Sequence, residues 1–154
     1  VVLGHSGPYD WESTLEDLLA LFSRRFQQNN PVCLVLPNPD FIYPNGPGVF
    51  GFGAAAFVNT LEHALERLHG PNDSLIATKL GKPYAPIFNA AIDRAGTANA
   101  VMIGDQLETD IFGANSAGID SAVVTTGINR RSTADEFGDV PDELTPRYIL
   151  TSLV

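Results

Sequence analysis

Residues Gly81 to Asp110 read GKPYAPIFNAAIDRAGTANAVMIGDQLETD, and this stretch decides the fold. Apolar residues in its first half recur at helical spacing until Gly96, which favours the end of a helix. The apolar run Ala100–Ile103 is typical of a buried strand, and the Gly104-Asp105 pair follows it directly. The stretch therefore predicts a helix, a strand and a polar loop, and the apolar residues that share one face of the helix are Tyr84, Ile87, Phe88, Ala91, Ile92 and Ala95.

The alternation of helices and strands continues on both sides of this stretch. Upstream, we predict a helix that opens at a Ser13 capping box and a second helix that contains Phe57 and Leu68. Between them, the Pro- and Gly-rich residues 37–53 predict a long irregular loop. Alternating units of this kind predict an α/β fold with a Rossmann-like parallel sheet flanked by helices. The further strands predicted are Val1–Leu3, Val32–Leu36, Leu75–Thr78, Ser121–Thr125 and Tyr148–Leu150.

Composition and charge exclude several classes of protein. Apolar residues make up 44% of the 154 residues and charged residues 18%, which is an ordinary globular composition. The net charge of −9 argues against nucleic acid or an anionic membrane surface as a partner, because both bind basic patches. No apolar run reaches the roughly 18 residues of a membrane span. The single cysteine, Cys33, is predicted to be buried, and it fits a reducing compartment, so we expect a cytoplasmic protein.

Three charged side chains in the deciding stretch are candidates for chemistry. Asp105, placed directly after a strand, suits a hard cation such as Mg²⁺, although it also suits a simple turn. Lys82, just before a helix, suits a phosphoryl group, although exposed lysines are common there. Asp110 is predicted at the start of the next helix, where a carboxylate offsets the helix dipole. In a parallel sheet, Lys82 and Asp105 would emerge from neighbouring positions at one edge.

The order and spacing of these residues resemble the haloacid dehalogenase superfamily. Residues 81–86, GKPYAP, and residues 101–111, VMIGDQLETDI, resemble its third and fourth motifs. Residues 114–118, ANSAG, and 123–127, VVTTG, are similar to its NagD-like branch, which bears a large cap of type IIA. Residues 37–44, PNPDFIYP, resemble that branch's cap loop, except that Pro37 stands where the branch has Thr.

The resemblance implies roles for individual residues. Lys82 would steady the transferring phosphoryl group, Asp105 would be a Mg²⁺ ligand, and Asp110 would orient the metal site. Asn38, Asp40 and Tyr43 would lie on the cap loop that closes over the substrate. The implied activity is that of a magnesium-dependent phosphomonoester hydrolase, which acts through an aspartyl-phosphate on a small metabolite such as a nucleotide or sugar phosphate.

The resemblance also implies how the chain is organised. Residues 1–78 would be the latter part of the cap, and residues 79–154 would be the C-terminal half of the core. The Asp-x-Asp motif that carries the family's nucleophile does not occur in these 154 residues. We therefore expect a longer intact protein, and an open sheet edge at the Ala100–Ile103 strand. The nucleophile segment, or a homodimer partner, would then complete the chain.

One alternative to an enzyme stays open on the sequence. A protein that keeps this fold without the nucleophile would be a non-catalytic binding or interaction protein. The missing Asp-x-Asp motif favours that alternative, whereas the pairing of Lys82 with Asp105 favours the phosphatase.

Overall fold

The structure is a computed structural model, and it describes residues 1–4, 10–46, 48–127, 131 and 133–153. The chain divides into two compact units, Val1–Leu80 and Gly81–Val154, each with an apolar core of its own. Among the described residues, no helix has both the length and the apolar character that crossing a membrane requires.

The first unit packs two helices against short strands. Its elements are α1 (Trp11–Gln27), β1 (Val35–Leu36), β2 (Ile42–Pro44), β3 (Phe50–Phe52), α2 (Ala54–His69) and β4 (Thr78–Lys79). A 3₁₀ turn, Asp73–Leu75, lies before β4. β1 pairs with β4 in parallel, whereas β2 and β3 form an antiparallel hairpin. The buried core of this unit includes Phe22, Leu34, Leu36, Val58, Leu61 and Leu65.

The start of α1 differs from the prediction. Its N-cap is Asp10, whose Oδ1 accepts a hydrogen bond from the Ser13 backbone N–H at 3.3 Å, so the predicted Ser13 cap is wrong. Trp11, the first residue of the helix, stacks on Phe57 of α2 with ring centroids 3.8 Å apart. This contact between α1 and α2 stabilises a helical turn before Ser13.

Two further predictions in the first unit are wrong. Residues 37–53 are not an irregular loop throughout, because they contain the hairpin of β2 and β3. Strands of three residues are too short to show a period of two in the sequence. Cys33 is exposed and not buried, since Leu34 and Leu36 are the residues of its run that face the core.

The second unit is a parallel sheet with helices. Its elements are α3 (Ala85–Ala95), β5 (Val101–Gly104), α4 (Phe112–Ala117), β6 (Asp120–Val124) and β7 (Tyr148–Leu150). A π-helical turn, Leu107–Ile111, leads into α4, and two 3₁₀ turns, Ala134–Phe137 and Asp142–Leu144, lie before β7. The strand order is β5-β6-β7, and both pairings are parallel. The predicted α/β class, with parallel sheets flanked by helices, is confirmed.

One edge of this sheet carries exposed apolar side chains. Within the described part of the chain, β5 pairs with β6 alone, and its Val101 and Ile103 are exposed. Of the apolar face predicted for α3, Phe88 is buried, whereas Tyr84 and Ile87 are exposed. The predicted periodicity thus marks a face that is covered in part, where the Phe88 ring lies close to Gly113 of α4.

Candidate active site

A partly buried ion pair lies at the centre of the candidate site. The Lys82 Nζ donates a hydrogen bond to Asp110 Oδ1 at 2.6 Å. Asp110 is only 1% exposed, whereas the Lys82 side chain is 35% exposed. The Asp110 carboxylate is thus held within the second unit, while part of the lysine side chain reaches solvent.

The second oxygen of Asp110 binds the end of β5. Asp110 Oδ2 accepts hydrogen bonds from the backbone N–H groups of Asp105, at 3.0 Å, and Gln106, at 3.1 Å. Both carboxylate oxygens therefore have donors, which is what a buried charge requires. The geometry differs from the predicted helix-start position, because Asp110 lies within the π-helical turn and reaches back to the strand end.

Gly104 makes this approach sterically possible. A Cβ on Gly104 would lie within 3.0 Å of the Asp110 carboxyl group, a separation that real Cβ atoms do not show. The Gly104-Asp105 pair is thus more than a turn. Gly104 leaves space for the Asp110 carboxylate, and Asp105 adds a second carboxylate beside it. Asp105 itself follows β5 directly and is half-buried.

Two further glycines were not recognised as site residues from the sequence. A Cβ on Gly113 of α4 would lie within 3.0 Å of the Phe88 ring and 3.1 Å from Pro83 Cα, next to Lys82. A Cβ on Gly127 would lie within 3.0 Å of the Asp105 side chain. For Gly113 the sequence held a signal, because a glycine inside a helix costs about 1 kcal/mol relative to alanine and indicates close packing.

The comparisons with known proteins agree with this geometry. Residues 79–154, which contain the whole cluster, match the family model described as HAD-hydrolase-like. Residues 79–154 belong to the haloacid dehalogenase-like hydrolases. The resemblance identified from the motifs is confirmed, and so is the similarity to the phosphatases of the NagD-like branch.

Named relatives of this family match different lengths of the chain. The D-glycerol 3-phosphate phosphatase of Mycobacterium tuberculosis is 45% identical over 49 residues, which cover 32% of this chain and 14% of that protein. The glycerol-3-phosphate phosphatase of Gallus gallus is 30% identical over 139 residues, which cover 84% of this chain and 41% of that protein. The chain thus spans less than half the length of either relative.

A solved structure of the family matches almost the whole chain. It is the glycerol phosphate phosphatase of Mycobacterium tuberculosis in complex with magnesium, with a TM-score of 0.72 and 30% identity. The match covers 97% of this chain and 40% of that one. The match therefore extends over both units described above.

The structure places the six predicted site residues in two groups. Lys82, Asp105 and Asp110 lie together in the second unit, as the hydrogen bonds above show. The other three belong to the first unit, where Asn38 is exposed and Asp40 and Tyr43 are half-buried. The Asp40 backbone carbonyl accepts a hydrogen bond from the Ala55 N–H at 3.2 Å, at the start of α2.

Tyr43 is held within its own hairpin. A Cβ on Gly51, its partner across the hairpin, would lie 2.6 Å from Tyr43 Cζ. The tyrosine ring therefore lies over the glycine, where a side chain at position 51 would displace it.

The residues of the site fit a magnesium ion only in part. Asp105 offers the carboxylate oxygen that Mg²⁺ prefers, and Mg²⁺ commonly takes one or two carboxylates and keeps several waters. The oxygens of Asp110 are already engaged by Lys82 and two backbone N–H groups. No group of three or more His, Cys, Asp or Glu side chains suited to a metal ion occurs in the described part of the chain. The described residues thus supply a ligand, but not a complete metal site.

Proposed function

We propose that the protein containing this chain is a magnesium-dependent phosphomonoester hydrolase, acting on a small phosphorylated metabolite. The observation that carries the proposal is the cluster of Lys82, Asp110 and Asp105 at the carboxyl end of β5. The relatives named as glycerol phosphate phosphatases favour glycerol phosphates as the substrate class. Sugar phosphates and nucleotides are the other substrates to test.

The charges of the cluster explain why a cation is needed. At neutral pH, Lys82, Asp105 and Asp110 together carry one formal negative charge, and the chain as a whole carries −9. A phosphate ester would be repelled by this field, whereas a divalent ion on Asp105 reverses the sign locally. When bound, Mg²⁺ supplies Lewis-acid stabilisation of phosphoryl oxygens. The relative solved with magnesium supports this choice of metal.

The protein side chains have separate tasks in the proposal. An ammonium group has three N–H donors, and Asp110 accepts a hydrogen bond from the Lys82 ammonium. The remaining donors of Lys82 would bind oxygens of the phosphoryl group and offset its charge. Asp110 positions both Lys82 and the backbone of Asp105. It would thereby keep the Lys82 ammonium group and the metal-binding carboxylate of Asp105 at a fixed separation.

The remaining assignments belong to the same proposal. The first unit would be part of the cap, and the second unit would be the C-terminal half of the core. Asn38, Asp40 and Tyr43 would contact the substrate. The nucleophilic Asp would come from polypeptide outside residues 1–154, and the intact protein would form a homodimer in the cytoplasm.

The test measures mass and activity on the same sample of the natural protein. We expect a mass well above 16.5 kDa, with Mg²⁺-dependent release of phosphate from glycerol 3-phosphate and p-nitrophenyl phosphate. Asp105→Asn should abolish the activity, whereas Asp120→Asn, a carboxylate change outside the cluster, should leave it intact. Full activity without Mg²⁺, or in the Asp105→Asn variant, would sink the proposal.

A non-catalytic binding protein is the second candidate. The lack of an Asp-x-Asp motif in these 154 residues favours it. This candidate predicts a natural mass equal to that of the present chain, with no phosphate release at any Mg²⁺ concentration. Binding of inorganic phosphate that requires Lys82 would then identify the cluster as a binding site alone.

A further inference from the structure

Gly127, in the turn after β6, lies close to the side chain of Asp105. A Cβ on Gly127 would lie within 3.0 Å of the Asp105 Cβ, Cγ and Oδ2 atoms. These atoms extend from the root of the aspartate side chain to its tip. Because the root does not move when the side chain rotates, a change of rotamer would not relieve the clash. A side chain at position 127 therefore requires movement of the backbone near Asp105 or of the loop.

The backbone conformation of Gly127 does not explain the glycine. Its φ lies outside the left-handed region, in contrast to Gly96 and Gly118, which end helices at φ of 68° and 72°. The φ angle of Gly127 therefore does not require a glycine. The reason for glycine at this position is thus the close approach to Asp105.

We infer that Gly127 is a positioning residue, which fixes the direction of the Asp105 carboxylate. β5 and β6 are parallel neighbours in register from Val101↔Asp120 to Gly104↔Val123, so their following loops meet at one edge of the sheet. Two contacts between described residues help to hold Asp105 there. Asp110 binds its backbone N–H at 3.0 Å, and Gly127 packs against its side chain.

The inference extends the proposed function to a residue that makes no polar contact in the cluster. It rests on the proposed function only where it concerns metal binding, since the packing of Gly127 on Asp105 is independent of any metal. Residues that orient a metal ligand commonly change metal affinity by 10- to 100-fold when they are replaced. A methyl group at position 127 should therefore weaken metal binding without removing the ligand.

A double-variant cycle on the whole chain tests the packing. The variants are Gly127→Ala, Asp105→Gly and the two combined, and Asp105→Gly is required because alanine would keep the clashing Cβ. Gly4→Ala is the control, since a Cβ there meets no atom of the described residues within 4 Å. We expect Gly127→Ala to lower the thermal midpoint of the second unit by about 5 °C or more. In the Asp105→Gly background, the same change should lower it no more than the control does. An equal loss in both backgrounds would overturn the inference.

Metal binding provides the second readout. Mn²⁺ binding to the whole chain would be followed by electron paramagnetic resonance, for the original sequence, Asp105→Asn, Gly127→Ala and Gly4→Ala. Where binding depends on Asp105, Gly127→Ala should weaken it by about tenfold or more, and an unchanged affinity would contradict the positioning role. If Asp105→Asn leaves Mn²⁺ binding unchanged, the metal part of the proposed function fails. The double-variant cycle alone then decides the role of Gly127.

Discussion

Replacement of Asp110 by Asn isolates the charge of the buried carboxylate. The remaining carbonyl oxygen can still accept the N–H groups of Asp105 and Gln106, because both now bind the same oxygen, Oδ2. The new amide N–H₂ group would then face the Lys82 Nζ, which lies 2.6 Å from Oδ1 in the original protein. Asp110→Asn thus converts an ion pair into two donors that face each other.

The expected loss follows from burial. Breaking a fully buried ion pair costs about 3–5 kcal/mol, but the Lys82 side chain is 35% exposed and can turn towards water. We therefore expect the free energy of unfolding of the second unit to fall by about 2–3 kcal/mol. Since each 1.4 kcal/mol is a factor of ten, the opening equilibrium should rise roughly 30- to 140-fold.

A second ion pair in the same unit is the matched control. Arg147 Nη1 lies 2.6 Å from Asp120 Oδ1, the same separation as in the buried pair, but these side chains are 64% and 35% exposed. Exposed pairs contribute little to stability, because water and salt screen them. Asp120→Asn should therefore change the opening equilibrium only slightly.

Native-state hydrogen exchange measures both variants in the unit concerned. Amide protection of the central strand β6 reports opening of the second unit. The only tryptophan, Trp11, lies in the first unit, so its fluorescence checks that unit separately. Equal losses of β6 protection in Asp110→Asn and Asp120→Asn would refute the reasoning that burial sets the value of this pair.

Two further changes test the packing around the site. Gly113→Ala inserts a methyl group against Phe88 and Pro83, so we expect the free energy of unfolding measured in urea to fall by about 1–3 kcal/mol. Phe88→Leu in the Gly113→Ala background should recover part of this loss. Purely additive effects of the two substitutions would disprove the contact. Asn115→Ala removes the bonds of the side-chain amide to the Glu143 and Thr145 carbonyls, both 3.0 Å, and to the Ser121 hydroxyl, 2.8 Å. We expect this substitution to lower the free energy of unfolding by about 2 kcal/mol and to reduce the amide protection of β7. Asn89→Ala, on the exposed side of α3, is the control and should not change either quantity. Equal losses in the two variants would contradict a stabilising role for the hydrogen bonds of Asn115.

Sequence reasoning located the charged residues but not all of their contacts. The loop after β5 was predicted correctly, because a short apolar run followed by Gly-Asp indicates a strand end. Lys82 and Asp105 were expected at one sheet edge, and the structure places both beside Asp110. The contact between Lys82 and Asp110 was not predicted, since it depends on a π-helical turn, and ordinary helical periodicity does not reveal such a turn.

The other differences arise from packing partners. The period of α3 identified an apolar face, but periodicity does not state whether every part of that face meets a neighbour. Tyr84 and Ile87 are exposed for this reason. The hairpin of β2 and β3 escaped prediction because Pro44 and the flanking glycines are typical of a loop. The close approach of Gly127 to Asp105 could not be predicted from the sequence, because a contact between residues far apart in the chain leaves no local pattern.

The π-helical turn sets the angle at which the Asp110 side chain leaves the helix. Each residue of an α-helix advances the side-chain direction by about 100°, and a π turn contains one residue more than an α turn. That extra residue brings the Asp110 carboxylate to the end of β5, while Ile111 and Ala114 remain buried in the second unit. The position of the carboxylate is thus encoded by the number of residues between Asp105 and Phe112 as much as by their identity. The loss of one residue from this turn would rotate Asp110 away from Lys82, although every charged side chain of the cluster would still be present.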